Sequence, residues 1–143
     1  PTSRRSSSGR RQSTTGSRLL DCTVRNAIVA DGCSLGCCHI EESVVGIRTF
    51  IQQGASIRRS VLLGADFYGN EDVAPARGDA PRLGIGRDVV LDKVIVDKNA
   101  RIGDGVRLTN ERGIENADGD GYHIRSGIII VPKGGVVKPG TVV

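Results

Sequence analysis

The chain is 143 residues long, room for one domain, and aromatics at 3% with no Met or Trp exclude an ordinary core built on large rings. Its formal net charge of +4 sits at one end, because residues 1–18 carry Arg4, Arg5, Arg10, Arg11 and Arg18 and no acid, leaving the remainder close to neutral. No run of about 18 apolar residues occurs, which excludes a membrane-spanning helix, and a start at Pro1 rather than Met reads as a fragment or a processed product.

Residues 1–18, rich in Ser, Arg, Thr and Gly without apolar period, are expected to be disordered. They read as a solvated linker, as transit-peptide-like sequence, or as a tail touching phosphates. No aromatic interleaves the arginines, so base stacking is not expected, and no nucleic-acid or membrane partner is expected for the domain.

A domain is expected over 19–143. Its ladder starts irregularly at Leu19, then Val29 to Leu35 makes one good hexad with Cys33 in the small position. Steps of five lead to Ile40 and Val45, and six resumes through Ile51 and Ile57, with Thr49, Ala55 and Val61 expected in small interior positions. This block amounts to roughly two to three coils. Residues 65–84, with Pro75 and Pro81, break the period and read as an inserted loop.

The clearest stretch follows. Aliphatic residues at Ile85, Leu91, Val96, Ile102 and Leu108 are spaced six, five, six and six, with Val89, Ala100 and Val106 four residues after three of them. A helix requires spacing near 3.6 and a plain strand requires two. A period of six with Gly and Asx at the corners is the hexapeptide pattern of a parallel β-helix, three hexads closing one triangular coil of about 18 residues. Residues 109–124 lose the period again and read as a second loop, before Val131, Val137 and Val143 restore a strict six.

Lys98 and Lys133 each lie two positions after an inward residue, Val96 and Val131. Once the second insertion is subtracted they are one coil apart, which puts them on one edge with backbones about 5 Å apart. Two stacked ammonium groups repel unless an anion lies between them, and Arg101 or Arg125 could add a bidentate donor. The bland reading is two solvated lysines. Cys22, Cys33, Cys37 and Cys38 lack metal-knuckle spacing and read as reduced interior or surface thiols, with no metal expected. His39 and His123 are the only histidines. Hexapeptide-repeat proteins that are acyltransferases use one His as base, so a stand-alone acyltransferase is one alternative. A purely structural oligomerisation module is another.

Five blocks carry a resemblance: Ser43-Val44-Val45-Gly46-Ile47-Arg48, Leu62-Leu63-Gly64-Ala65-Asp66-Phe67-Tyr68, Leu83-Gly84-Ile85-Gly86, Val96-Asp97-Lys98-Asn99-Ala100-Arg101-Ile102-Gly103 and Gly121-Tyr122-His123-Ile124-Arg125-Ser126-Gly127-Ile128. In this order, with both insertions between hexad blocks, they resemble the C-terminal domain of plant and algal glucose-1-phosphate adenylyltransferase (ADP-glucose pyrophosphorylase). The resemblance covers about residues 19–143. It implies an all-β, left-handed parallel β-helix of hexapeptide repeats, against the usual right-handed crossover. It also implies an enzyme that makes ADP-glucose and pyrophosphate from ATP and glucose 1-phosphate with Mg²⁺, in the plastid stroma, for starch synthesis. Its subunits form a heterotetramer. The family's catalytic residues lie in an N-terminal domain absent here, so this chain alone is expected to be inactive and to need no cofactor. The activator 3-phosphoglycerate and the inhibitor phosphate are implied to bind at Lys98 and Lys133, with Arg101 and Arg125 as further cations. Two departures stand out: residues 67–82 are Gly- and Pro-rich rather than charged, and the stretch 1–18 replaces the linker. Ile124-Arg125-Ser126-Gly127 leans towards a large, regulatory-type subunit.

Overall fold

The computed structural model describes residues 16–66, 81 and 83–143. Most of the segment expected to be disordered (1–15) and most of the first insertion (67–80 and 82) lie outside the described residues. Within the described residues there are strands of two to four residues and no helix. Through the strand Arg107–Leu108 every third strand stacks on its predecessor in parallel, giving three faces.

The ladder read from the sequence is the column of inward residues. On the first face Leu19, Leu35, Ile51, Ile85, Ile102 and Val137 stand in register. On the second stand Val24, Ile40, Ile57, Leu91 and Leu108. On the third stand Val29, Val45, Leu62, Val96 and Val131. Period-two alternation within each short strand turns one aliphatic residue into the triangle and its neighbour out. From Leu35 onwards these inward residues are buried, and they join Cys33, Cys38, Ala55, Val89, Val94, Ala100 and Val106 in one continuous core. In the first coil Leu19 is 47% exposed, because described chain stacks on only one side of it.

The coil is shorter than 18 residues. Leu35 pairs with Ile51 and Ile40 with Ile57, which are 16 and 17 residues apart. The shortening falls at the corner between the second and third faces, crossed in five residues rather than six in each of the first four coils, and in the first two coils also at the corner between the first and second faces, from Leu19 to Val24 and from Leu35 to Ile40. The turn is made tight by a residue in the left-handed region: Asn26 (φ 49°), Glu42 (49°), Arg59 (47°) and Lys93 (59°). Such a conformation costs a non-glycine residue of order 1 kcal/mol and persists only where its surroundings over-determine it. Backbone bonds between coils do so here, from Glu42 N–H to Arg25 O, Arg59 N–H to Glu41 O, and Lys93 N–H to Arg58 O.

The five-residue step corrects one expectation. Val61 faces outward, and Ser60, 2% exposed, takes the inward small position. Ser43 (4%) does the same one coil earlier. Each hydroxyl donates to a carbonyl two residues back, Ser43 to Glu41 at 2.7 Å and Ser60 to Arg58 at 2.7 Å. Each also accepts a backbone N–H from the next coil, Ser60 N–H to Ser43 Oγ at 3.1 Å and Val94 N–H to Ser60 Oγ at 3.2 Å. Small polar side chains thereby satisfy backbone donors that the short corner carries past the nearest carbonyl.

The second insertion is not a loop. Asn116–Gly119 and Tyr122–Arg125 form an antiparallel hairpin that continues onto Ile128–Val131, extending the third face by two strands beyond its last parallel one. Asp120-Gly121 makes the two-residue turn, with Gly121 at φ 87°. That dipeptide between two strand-length runs is a hairpin signal. Ile124 on this hairpin is 1% exposed and closes that end of the core. The first insertion is also narrower than expected: Ala65 and Leu83, at its two ends, are buried.

Candidate functional site: the corner between the third and first faces

Lys98 follows the strand Val94–Val96 and Lys133 follows Ile128–Val131, and these strands pair in register with Val96 opposite Val131. Gly134 N–H donates to Lys98 O at 2.9 Å, so the two corners are locked one above the other. The backbones of Lys98 and Lys133 are therefore separated by one coil, about 4.8 Å.

Below them lies a residue that the sequence reading left in the insertion. Asp66 Oδ1 is 3.5 Å from Lys98 Nζ. Asn99 holds Asp66 in place: its Oδ1 accepts Asp66 N–H at 2.9 Å and its Nδ2 donates to Asp66 Oδ2 at 3.1 Å. The Asn99 hydrogen bond, followed by the positive charges of Lys98 and Lys133, holds the Asp66 carboxyl below its usual range. The anion that two stacked ammonium groups call for is thus partly supplied by the chain itself. Nothing in the spacing marked Asp66, because its partners are brought to it by the stack and not by local sequence. One coil further down, Arg48 Nε donates to Ala65 O at 3.2 Å.

The two arginines fall differently. Arg101 lies three residues after Lys98 on the strand Arg101–Ile102, beside the same corner, and its Nη1 donates to Pro81 O at 3.1 Å. Arg125 pairs with Ile128 at the opposite edge of the third face, so roughly five residues of strand, about 16 Å, separate it from Lys133. It donates instead to Ala117 O and its own neighbour Ile124 O, and pairs with Asp118 at 2.9 Å. The described structure therefore joins Lys98, Lys133 and Arg101, and sets Arg125 apart.

Other candidates are spread over the outer surface. His39 stands on the second face, 3.6 Å from Glu41. His123 stands on the hairpin with Nδ1 2.8 Å from Asp118 Oδ1. Hydrogen bonds from His123 and then Arg125 hold the Asp118 carboxyl low. The thiols of Cys22 and Cys38 stack inside the first two coils at 3.5 Å. Burial, with Cys22 beside it, pushes the Cys38 thiol up to about 12. Cys33 is buried apart from them, and Cys37 is exposed. Among the described residues no group of three or more His, Cys, Asp or Glu could hold a metal ion.

Three parallel faces of short strands, five-to-six-residue corners and a stacked aliphatic column define a parallel β-helix protein of the hexapeptide-repeat class. The chain belongs to the family of the GLGC left-handed parallel beta-helix domain, whose model matches residues 13–142. The hand of the coil is therefore left, as the resemblance implied. The domain is that of GlgC-type enzymes, which are nucleotidyltransferases.

Proposed function

We propose that this chain is the regulatory and assembly domain of a glucose-1-phosphate adenylyltransferase and binds phosphorylated effectors at Lys98 and Lys133. The parent enzyme makes ADP-glucose and pyrophosphate from ATP and glucose 1-phosphate for starch synthesis, in the plastid stroma, as a heterotetramer of related subunits. Catalysis and Mg²⁺ belong to its nucleotide-binding domain. The β-helix domain by itself is expected to be inactive.

The observation that carries the effector reading is the Lys98–Lys133 stack with Asp66 against it. A phosphate dianion brings more charge than one carboxylate and makes charge-assisted bonds to both ammonium groups. It competes with Asp66 for Lys98, and Arg101 borders the same corner. Arg125, at the far edge, lies outside this pocket and serves the hairpin through Asp118.

Calorimetric titration of the full chain with 3-phosphoglycerate and with inorganic phosphate tests this. Saturable binding is expected, weakened in Lys98→Ala and in Lys133→Ala by about 1.5–3 kcal/mol each, the usual worth of a hydrogen bond to a charged group. Asp66→Asn should tighten binding, because it removes the competing carboxylate while keeping a partner for Asn99. No binding at millimolar ligand, or binding untouched by either lysine substitution, would remove the effector site from this corner.

A further inference from the structure

Two thiols meet where the first coil rests on the second. Cys22 and Cys38 each stand two residues before an inward aliphatic, Val24 and Ile40, and the strands that follow them pair in register, Thr23 opposite His39. They begin an interior column at the corner between the first and second faces that Ala55, Val89 and Val106 continue through the later coils. Thr23 N–H donates to Cys38 O at 2.9 Å, so the two backbones are held one coil apart, about 4.8 Å. The Cys38 thiol donates to Cys22 Sγ across 3.5 Å, and the Cys22 thiol donates onward to Gly36 O at 3.1 Å.

A disulfide requires Cα atoms about 4.4–6.8 Å apart and sulfurs at about 2.05 Å. The stack already meets the first requirement, so only the two side chains have to turn. The other cysteines have no such neighbour. Cys33 belongs to the corner between the third and first faces, where Ser17 and Thr49 hold the matching positions one coil to either side. Cys37 is exposed, turned out by the same alternation that turns Cys38 in.

We propose that Cys22 and Cys38 form a reversible disulfide that staples the first coil to the second. The oxidant is a low-molecular-weight disulfide, RSSR. Cys22, only half-buried, gives its proton to solvent and attacks one sulfur of RSSR, which leaves a mixed disulfide and releases RS⁻. Cys38 then gives up its proton and attacks Cys22 Sγ, the bond from Cys22 to SR breaks, and a second RS⁻ departs. Both RS⁻ take up the released protons, so two protein thiols are oxidised and one RSSR is reduced to two RSH. Burial, and then the neighbouring Cys22, pushes the Cys38 thiol up to about 12, so Cys38 does not start the exchange. The share of that rise due to Cys22 disappears once Cys22 is held in a neutral mixed disulfide.

The first coil is where a staple has most effect. Leu19, Leu20 and Ile28 are exposed, and among the described residues chain stacks on one side of this coil only. In a stack whose coils touch only their neighbours, such an end opens before the middle does. A bond from Cys22 to Cys38 closes one whole coil and removes that opening.

The full chain carrying Cys37→Ser, which removes the exposed competing thiol, is incubated with glutathione disulfide near neutral pH, then unfolded, alkylated and mapped by mass spectrometry. One Cys22–Cys38 disulfide is expected, with Cys33 alkylated and the bond reversed by dithiothreitol. Amide exchange over residues 18–30 should be slower in the oxidised than in the reduced protein by about a hundredfold, the effect of closing a loop of roughly one coil. Cys22→Ser should abolish that difference. A glutathione adduct that stays on Cys22 without an internal bond overturns the proposal, as does a bond to Cys33 or no oxidation at all. A Cys22–Cys38 bond that leaves exchange unchanged overturns the staple. The main comparison is between two redox forms of one protein, so it stands whether or not Cys22→Ser folds. The inference goes beyond the effector reading and uses none of its residues, so titration of the same proteins with 3-phosphoglycerate succeeds or fails separately.

Discussion

Removing the Ser60 hydroxyl tests whether the short corner depends on its buried serines. In Ser60→Ala the Val94 N–H loses the acceptor it bonds, Ser60 Oγ at 3.2 Å. The Arg58 carbonyl loses one donor but keeps Lys93 N–H at 3.2 Å. One buried donor is therefore orphaned, which costs about 1–3 kcal/mol, and the methyl that replaces the hydroxyl leaves little void. We expect about 2 kcal/mol of destabilisation, read as a lower urea midpoint with unchanged m-value, or a melting point lower by roughly 4–8 °C for a domain of this size. Ser43→Ala should behave alike, because it strands the Ser60 N–H. The next coil shows how the reasoning could fail. There Val94 fills the serine position and Ile129 N–H reaches Lys93 O directly at 3.3 Å. If Ser60→Ala costs less than about 0.5 kcal/mol, Val94 N–H has closed onto a backbone carbonyl in the same way, and the serines are only space-fillers.

Gly46→Ala should destabilise by more than about 2 kcal/mol in the same assay, because a Cβ there would sit 2.6 Å from the Leu63 backbone. Gly105→Ala, with open space around it but φ at 71°, should cost only about 1 kcal/mol. Alkylation of the native chain near neutral pH should label the exposed Cys37 first and leave Cys33 and Cys38 unmodified, which peptide mass mapping reads; early labelling of Cys38 would contradict its burial and raised pKa. Asp118, whose folded pKa lies below its ordinary 3.8, stabilises the hairpin above that value, and the contribution is lost as pH falls through the folded pKa. Amide exchange across Asn116–Arg125 should therefore accelerate on acidification below about pH 4, and Asp118→Asn should flatten that dependence.

The parts of this fold written in the sequence are those that repeat. Val, Ile and Leu at six-residue spacing placed the inward column from Ile85 to Leu108, and Val89, Ala100 and Val106 are buried where the hexad put them. The pattern carried less where the physics is set between coils. The five-residue corner reads as irregularity at Val45, because what regularises it, a left-handed residue and a buried serine bonded to the coil above, is invisible along one coil. Val61 was turned inward for the same reason. The hairpin at 116–125 was hidden because its strands, rich in Asn, Asp and Gly, lack the hexad period although its Asp-Gly turn was in view. At the lysine corner, register arithmetic brings Lys98 beside Lys133 in a left-handed coil of any exact length, since both count from an inward valine. Asp66 and Arg125 obey no such count. One is delivered to the lysines where the first insertion leaves the stack, and the other is carried away from them because its strand runs antiparallel. A cation or carboxylate is thus predictable at a β-helix corner only while the chain keeps coiling, and each departure from the coil has to be located in three dimensions before its charge can be assigned to a site.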